Sequence, residues 1–509
     1  MNQQTNNKRI AKNTLLLYAR MLVYMVITLY TSRVLLAFLG VEDYGIYNVV
    51  GGIVMMFGFL NTAMISASQR FISYEQGKGN THSQNKIFST SVVIHITITI
   101  VILIISESLG LWWLYNKLVV DDTRFFAAQC VYQCSILSFL LNVTTVPYIS
   151  SVIAHEKMGF YAIVTILDCL LKLLIVLLLP FFPYDHLIVY AALLLSVSLL
   201  NFFIYRFYTK RQFSECHFKF HKDVALYKKM LSFAGWSFVG NFGVSAKDYG
   251  VNIVLNLFGG PAVNAARGIA YQVTMAINGF VSNFQTAMRP QITKRYAAGE
   301  IDSMIKLVIT GSKFSFFLLS IITTPVLLRT NYILELWLDN VPESTDVFLK
   351  LALIMGLINS FYGPFLTGIQ ATGHIKLFQI TVAIIMCMDI PLSYYFLSMG
   401  FEPYTVMYVA ITTAIAALVA RVFLLYRQVH FDIANYFFSV IGRCLILFFI
   451  MVSLPYCMDG VLKDDFWGLV ALTVISLFWS IIVIGFGGLN RKERNTILSH
   501  ILIKMKIRK

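Results

Sequence analysis

Runs of roughly twenty apolar residues follow one another along the whole 509-residue chain, and this recurrence constrains the fold more than any motif does. Each run is long enough to cross a hydrocarbon core of about 30 Å as a helix and too long for the ten-residue alternating strands of a membrane barrel. With 13% charged residues, the chain also falls far short of the quarter or so found in soluble domains. The expectation is an all-α, polytopic membrane protein of about fourteen transmembrane helices. The spans are placed near 14–38, 44–65, 87–109, 126–150, 158–183, 186–206, 230–258, 264–289, 306–328, 347–369, 376–399, 403–426, 434–457 and 466–489. The opening MNQQTNNKRIAKN leads into an apolar run too long for a signal-peptide core and lacking a small-residue cleavage site, so an uncleaved first helix is expected.

The formal charge of +15 would suit nucleic acid if it were clustered, but it alternates with the spans. One set of connections carries Arg70, Lys78, Lys157, Lys210, Arg211, Lys294, Arg295, Lys376, Arg427 and the basic tail. The other carries acids, among them Asp43, Asp121, Asp185, Glu335, Glu402 and Asp464, with few bases such as Arg124 and Arg329. The positive-inside rule then puts both termini in the cytoplasm, as an even span count requires. Membrane lipids are expected partners and nucleic acid is not. The connection YTKRQFSECHFKFHKDVALYKK reads as a basic linker on the anionic lipid surface.

That linker divides a repeat. Gly40 and Arg70 recur as Gly259 and Arg289 at one shift of about 219 positions; Asn142, Pro147 and Asp168 recur near that shift as Asn359, Pro364 and Asp389. A shift across six spans leaves both copies in the same orientation, as in transporters with parallel repeats. The expected organisation is an N-lobe at 1–206, the linker at 207–229, a C-lobe at 230–430, and two further spans with the tail at 431–509.

The first two spans of the C-lobe are apolar except for a stripe on each. Ser237, Asn241, Ser245, Asp248, Asn252 and Asn256 recur at helical spacing, and so do Arg267, Tyr271, Thr274, Asn278, Ser282, Gln285 and Arg289. Facing lipid, such stripes would be costly, so a wet, protein-lined transport path is expected. The matching face of span two holds Met55, Phe59 and Ala63 where span eight has Thr274, Asn278 and Ser282, so contacts with cargo are expected mainly on the second lobe.

An intramembrane charge costs on the order of 2.5–3.5 kcal/mol at a helix centre on insertion scales and needs a partner or a role. Basic groups outnumber acids here, which favours an anionic cargo, and arginine suits phosphate by bidentate hydrogen bonding. The expected substrate contacts are Arg20, Arg33, Asn241, Lys247, Asp248, Asn252, Arg267, Tyr271 and Asn278, with Arg267 foremost. Arg20 and Arg33 lie near opposite ends of span one, where snorkelling to headgroups explains either equally well. Asp168 and Lys172, one turn apart, read either as a neutralising pair or as a coupling or gating site. Asp389, alone before Pro391, reads as a hinge or a protonation site. Arg70 and Arg289 end their spans on the basic side and suit ordinary anchoring or a functional contact.

No Walker-type loop, dinucleotide fingerprint or metal-spaced set of His and acids is present in the sequence, so no cofactor or metal is expected. His217 and His221 read as solvated, and Cys130 and Cys134 as ordinary helix residues.

The stretch NTLLLYARMLVYMVITLYTSRVLLAFLGVEDYGIYNVVGG followed by SASQRFISYEQGKGN resembles the Wzx-like polysaccharide and oligosaccharide flippases of the multidrug/oligosaccharidyl-lipid/polysaccharide (MOP) exporter superfamily. VNAARGIAYQV, RPQITKRYAAGE and QATGHIKLFQ are similar to stretches in lipopolysaccharide and capsule biosynthesis membrane proteins. The resemblance implies two six-helix lobes in a V, alternating access in a bacterial inner membrane, and movement of an undecaprenyl-diphosphate-linked oligosaccharide from the cytoplasmic to the periplasmic leaflet. Its implied partners are that lipid-linked oligosaccharide and other glycan-assembly membrane proteins; the protein would not be an enzyme. Two alternatives stay open: a drug or cation antiporter of the same superfamily, motivated by Asp168, Asp248 and Asp389, and an integral-membrane glycan polymerase or transferase, disfavoured by the short outer loops.

Overall fold

The computed structural model describes residues 13–28, scattered positions between 30 and 50, and then 58–79, 81–116, 120–338, 341–490 and 493–494. Among them every regular element is a helix. Among the described residues ten helices are long and apolar enough to cross a membrane, from Ser83–Asn116 to Phe466–Gly488, and they coincide with ten of the expected spans. The first expected span begins as the apolar helix Asn13–Thr28, and most of the second lies outside the described residues. By contact the chain forms two units. One is Met1–Phe242 with Thr286–Met304 and Gln370–Gln379; the other is Gly243–Gln285 with Ile305–Ile369 and Ile380–Lys509.

Spans seven and eight differ from expectation. Both fall on one helical run of 74 residues, Val224–Ala297, and the run is absent from the apolar set because its polar stripes dilute it. Straight, it would be about 111 Å long, several times a bilayer core. It is not straight. The Asn264 side-chain amide donates to the Asn252 carbonyl at 3.2 Å, although twelve residues of straight helix would separate them by about 18 Å. The chain therefore reverses between Asn252 and Asn264, where the sequence reads NIVLNLFGGPAVN, and the two striped halves lie side by side.

Each half has its own neighbour. In the second unit Gly243 faces Ala383 and Gly250 faces Ile390, while Phe258 meets Tyr394 edge-on at 5.4 Å. The numbers rise together, so this half runs parallel to the 376–398 segment. The other half runs parallel to Thr345–Thr372, with Asn278 against Gly356 and Gln285 against Gly363.

Two prolines interrupt these neighbours. A helical proline lacks an N–H and crowds the carbonyl four residues earlier. Pro364 accordingly coincides with the break between Thr345–Ser360 and Tyr362–Thr372, and Pro391 with the break between Lys376–Cys387 and Asp389–Ser398. The Ser360 carbonyl, deprived of its intrahelical donor, accepts from Gln285 Nε2 at 3.1 Å.

Charged staples tie the ends of the helices. Arg124 donates to Asp43 at 2.8 Å and to Asp185; these three residues come from connections that the charge pattern assigned to one side. Arg329 is 6% exposed and holds Asp459 at 2.7 Å and the Lys463 carbonyl at 2.9 Å. Arg70 is not a headgroup anchor. It is 6% exposed, donates to the Gln370 and Ala371 carbonyls at 2.9 Å each and lies over the rings of Phe71, Tyr74 and Phe233. It thereby caps the Tyr362–Thr372 helix, which ends at Gly373 in the left-handed region at φ +83°. Nor is the linker simply spread on lipid: Phe213, Glu215 and Cys216 are buried, and Asn85 donates to the Glu215 and His217 carbonyls at 2.8 and 2.7 Å.

At Gly243 the neighbouring backbone itself is within reach, since an added Cβ would stand 2.9 Å from the Ala383 Cβ and 3.0 Å from its Cα. Gly243→Val should lower thermal stability in detergent by about 1–3 kcal/mol; an unchanged melting curve would mean that the two helices part freely.

Candidate functional site

The reversal in Val224–Ala297 brings the two polar stripes together. Arg267, 4% exposed, donates through Nη1 to the Asn252 side-chain oxygen and to the Asp248 carbonyl at 3.4 Å. Its Nη2 donates to the Tyr271 hydroxyl at 3.2 Å, the guanidinium sits over the Tyr271 ring at 4.5 Å, and the Asp248 carboxylate is 3.9 Å away. Four expected contact residues, Asp248, Asn252, Arg267 and Tyr271, thus form one group. The Asp248 side chain is 43% exposed beside the buried arginine, so the group has an accessible carboxylate at its edge.

Lys247 turns to the other side of the helix. Its ammonium lies 2.6 Å from Asp389, with the two side chains 8% and 0% exposed. Asp389 is therefore not a lone acid: the expected substrate contact and the expected coupling residue belong to one buried ion pair. Asp389 opens the helix that follows the Pro391 break, where the positive end of the helix dipole favours a carboxylate. The four charges Lys247, Asp248, Arg267 and Asp389 sum to zero when all are ionised. Net attraction for an anion is consequently weaker here than the count of basic residues implied.

The remaining expected residues are dispersed. Asn278 packs its side-chain oxygen toward Gly356; Asn241 is half-buried on the same helical run; Arg33 lies outside the described residues. In the first unit Arg20 is over the Tyr161 ring at 5.0 Å. Asp168 pairs with Lys172 at 2.8 Å and accepts from Asn201 at 2.7 Å, the geometry of a locally neutralised pair.

Two features escaped the sequence reading. One is a polar cluster around the turn His155–Lys157, where Glu156, at φ +59° and 6% exposed, accepts from Gln291 at 2.7 Å and Lys294 at 2.8 Å. Beside it His155 Nε2 is 2.8 Å from Glu215, its ring stacked on Phe213 at 3.8 Å. Burial is the largest influence on the Glu215 carboxyl and raises it, but the hydrogen bond from His155, a backbone hydrogen bond and the His155 charge together outweigh burial and hold it below the usual carboxylate range. The second feature is Arg421, buried on Thr405–Tyr426. Its one visible signal was a single arginine inside a 22-residue apolar helix. No group of His, Cys, Asp and Glu suited to a metal occurs among the described residues.

With this geometry in view, comparison with known proteins separates family from fold. The model of a family described as polysaccharide biosynthesis protein matches residues 10–296. No curated protein sequence matches. Among solved structures, an outward-facing multidrug resistance MATE family transporter of the MOP superfamily aligns with TM-score 0.72 at 12% identity, covering 83% of this chain and 96% of that one. A MOP superfamily transporter from Pyrococcus furiosus, described by the reverse polarity of its binding pocket, aligns at 0.71 and 13% identity, with coverages of 85% and 96%. A MATE protein in the bent conformation gives 0.70 at 14%, with 83% and 95% covered. At these identities the likeness is one of fold.

Two stability measurements follow. Asp389→Asn strands a buried ammonium and should cost about 3–5 kcal/mol, whereas Lys247→Met with Asp389→Leu should recover most of it; equal losses in single and double variants would mean that the pair is not coupled. Glu215, held low, stabilises fully above the ordinary carboxylate range and loses that contribution as pH falls below it. Glu215→Gln should therefore melt earlier at neutral pH and show a shallower acid limb; melting like the parent at every pH would refute the pairing.

Proposed function

Because the chain belongs to the polysaccharide biosynthesis protein family and carries a MOP-superfamily transporter fold, we propose that it is a flippase for an undecaprenyl-diphosphate-linked oligosaccharide. It moves this cargo from the cytoplasmic to the periplasmic leaflet of a bacterial inner membrane by alternating access, with both termini cytoplasmic. Family and fold point to transport rather than catalysis. The observation that carries the reading is the Arg267 group: a buried guanidinium braced by Asn252 and Tyr271 on a helix pair whose polar stripes would be costly against lipid.

The cargo's chemistry divides among the parts of such a site. Its diphosphate needs a planar, permanently charged donor, which Arg267 supplies. Its sugars need hydroxyl and amide partners, available on the Asn, Ser, Thr and Gln stripes, and its polyprenyl tail can remain in lipid. An inside-negative potential assists outward passage of negative charge by about 2.3 kcal/mol per charge per 100 mV. Lys247, committed to Asp389, supports the helix that presents the stripe rather than meeting the cargo directly. On this reading Asp168 and Lys172 neutralise each other on one helix, and Asn201 ties Asp168 to the next.

A second reading has an observation of its own. Asp248 is 43% exposed at 3.9 Å from Arg267, and an accessible intramembrane carboxylate is what a cationic drug would seek. The two readings separate on variants. Arg267→Gln, expressed and folded normally, should reduce surface-glycan export at least tenfold, while Asp248→Asn should leave it within a few-fold. If resistance to cationic dyes instead fell with Asp248→Asn while export survived Arg267→Gln, the antiporter reading would replace the flippase.

A further inference from the structure

Arg421 lies on the Thr405–Tyr426 helix, five residues from its end, and is 4% exposed. Its guanidinium stands over the Tyr362 ring at 4.2 Å. Nε and Nη1 are fully enclosed and have no hydrogen-bond partner, and no acid pairs with the side chain among the described residues. This sets it apart from the other buried basic groups of the second unit. Lys247 has Asp389, Arg267 has Asn252 and Asp248, Lys313 has Glu493 at 2.7 Å, and Arg329 has Asp459 and Asp464. An aromatic face offsets only part of the desolvation of a cation. Arginine does not lose its proton in proteins, so the charge persists and requires an anion.

The surroundings favour a ligand as the source of that anion. Tyr362 is the first residue after the break that Pro364 imposes, and both Tyr362 and its neighbour Gly363 are half-buried, not sealed. Gly363 faces Gln285, a member of the polar stripe that begins at Arg267. The stripe that carries the Arg267 group therefore also passes beside Gly363, the residue next to Tyr362.

We propose that Arg421 is an anion-binding residue of the second unit, receiving the oxygens of a phosphate or diphosphate on its guanidinium N–H groups beside Tyr362. Its planar fork matches two phosphate oxygens at once. The choice of diphosphate rests on the flippase reading; the need for an anion does not. In sequence and in space it lies apart from Arg267, so a cargo moving along the stripe meets a second cation rather than the same one twice.

The test uses the full-length protein in nanodiscs of neutral lipid, titrated with farnesyl diphosphate, inorganic pyrophosphate and uncharged farnesol while intrinsic fluorescence is followed. Wild type should bind farnesyl diphosphate saturably, and Arg421→Gln should weaken it at least tenfold with farnesol unaffected. Arg421→Lys keeps the charge, and with it the fold, but loses the fork, and should weaken binding several-fold. Displacement by pyrophosphate alone would identify a free phosphate as the ligand; its failure to displace would identify a lipid-borne one. Binding unchanged in both variants, or no binding of either anion by wild type, overturns the proposal. Loss of diphosphate binding in Arg421→Gln together with full glycan export by Arg267→Gln would keep this anion site while removing the flippase reading.

Discussion

In hydrocarbon a backbone carbonyl has no water to turn to, so each interruption of a helix must be satisfied by another part of the protein. Pro364 and Pro391 interrupt two helices, and two of the polar contacts of the second unit form at those interruptions. At the first, Gln285 crosses from the neighbouring striped helix to serve the Ser360 carbonyl. At the second, the chain restarts with Asp389, which meets Lys247 from the same helix pair. The kinks are thus the places where a polar stripe can be docked without an unpaired backbone. A straight apolar helix at either position would leave Gln285 or Lys247 facing side chains that cannot bond them.

The doubled-back helix gives that arrangement its stiffness. Its two halves are bonded to each other near the reversal through Asn264 and Arg267, and each half lies along a partner by close contacts at glycine. In the first unit a different solution operates. The turn at Glu156 uses a left-handed backbone, which disfavours a residue with a Cβ, yet its carboxylate collects Gln291 and Lys294. Several charge-assisted hydrogen bonds there outweigh one unfavourable torsion.

How much of this could be read from the amino acids depended on whether the signal was periodic. Apolar runs are periodic by length, and ten of them coincide with the long helices. The stripes are periodic by residue, and the convergence of Arg267 with Asp248, Asn252 and Tyr271 followed from them once the chain was folded back. Partners far apart in sequence carry no such signal. Asp389 read as solitary because nothing at 389 points to 247, and Arg70 stayed open between ordinary anchoring and a functional contact because its acceptors are main-chain carbonyls, which every residue has. Arg421 offered only the signal of a lone arginine in an apolar helix, because no charged partner among the described residues gives it a spacing to recognise. The helix Val224–Ala297 missed the apolarity expected of a span because the same stripes that marked it as functional lowered its hydropathy.

The Arg70 cap differs in kind from the Lys247–Asp389 pair. An ion pair demands two particular side chains, and a change in either removes it. Carbonyls at 370 and 371 remain wherever there is a peptide bond, so this contact by itself makes no demand on which side chains stand there. Only Arg70 itself and Gly373, where an added Cβ would stand 2.6 Å from the arginine Nη2, are held fixed by the contact. In a set of related sequences, the imprint of this joint would be an arginine and a distant glycine retained together across a segment that otherwise varies.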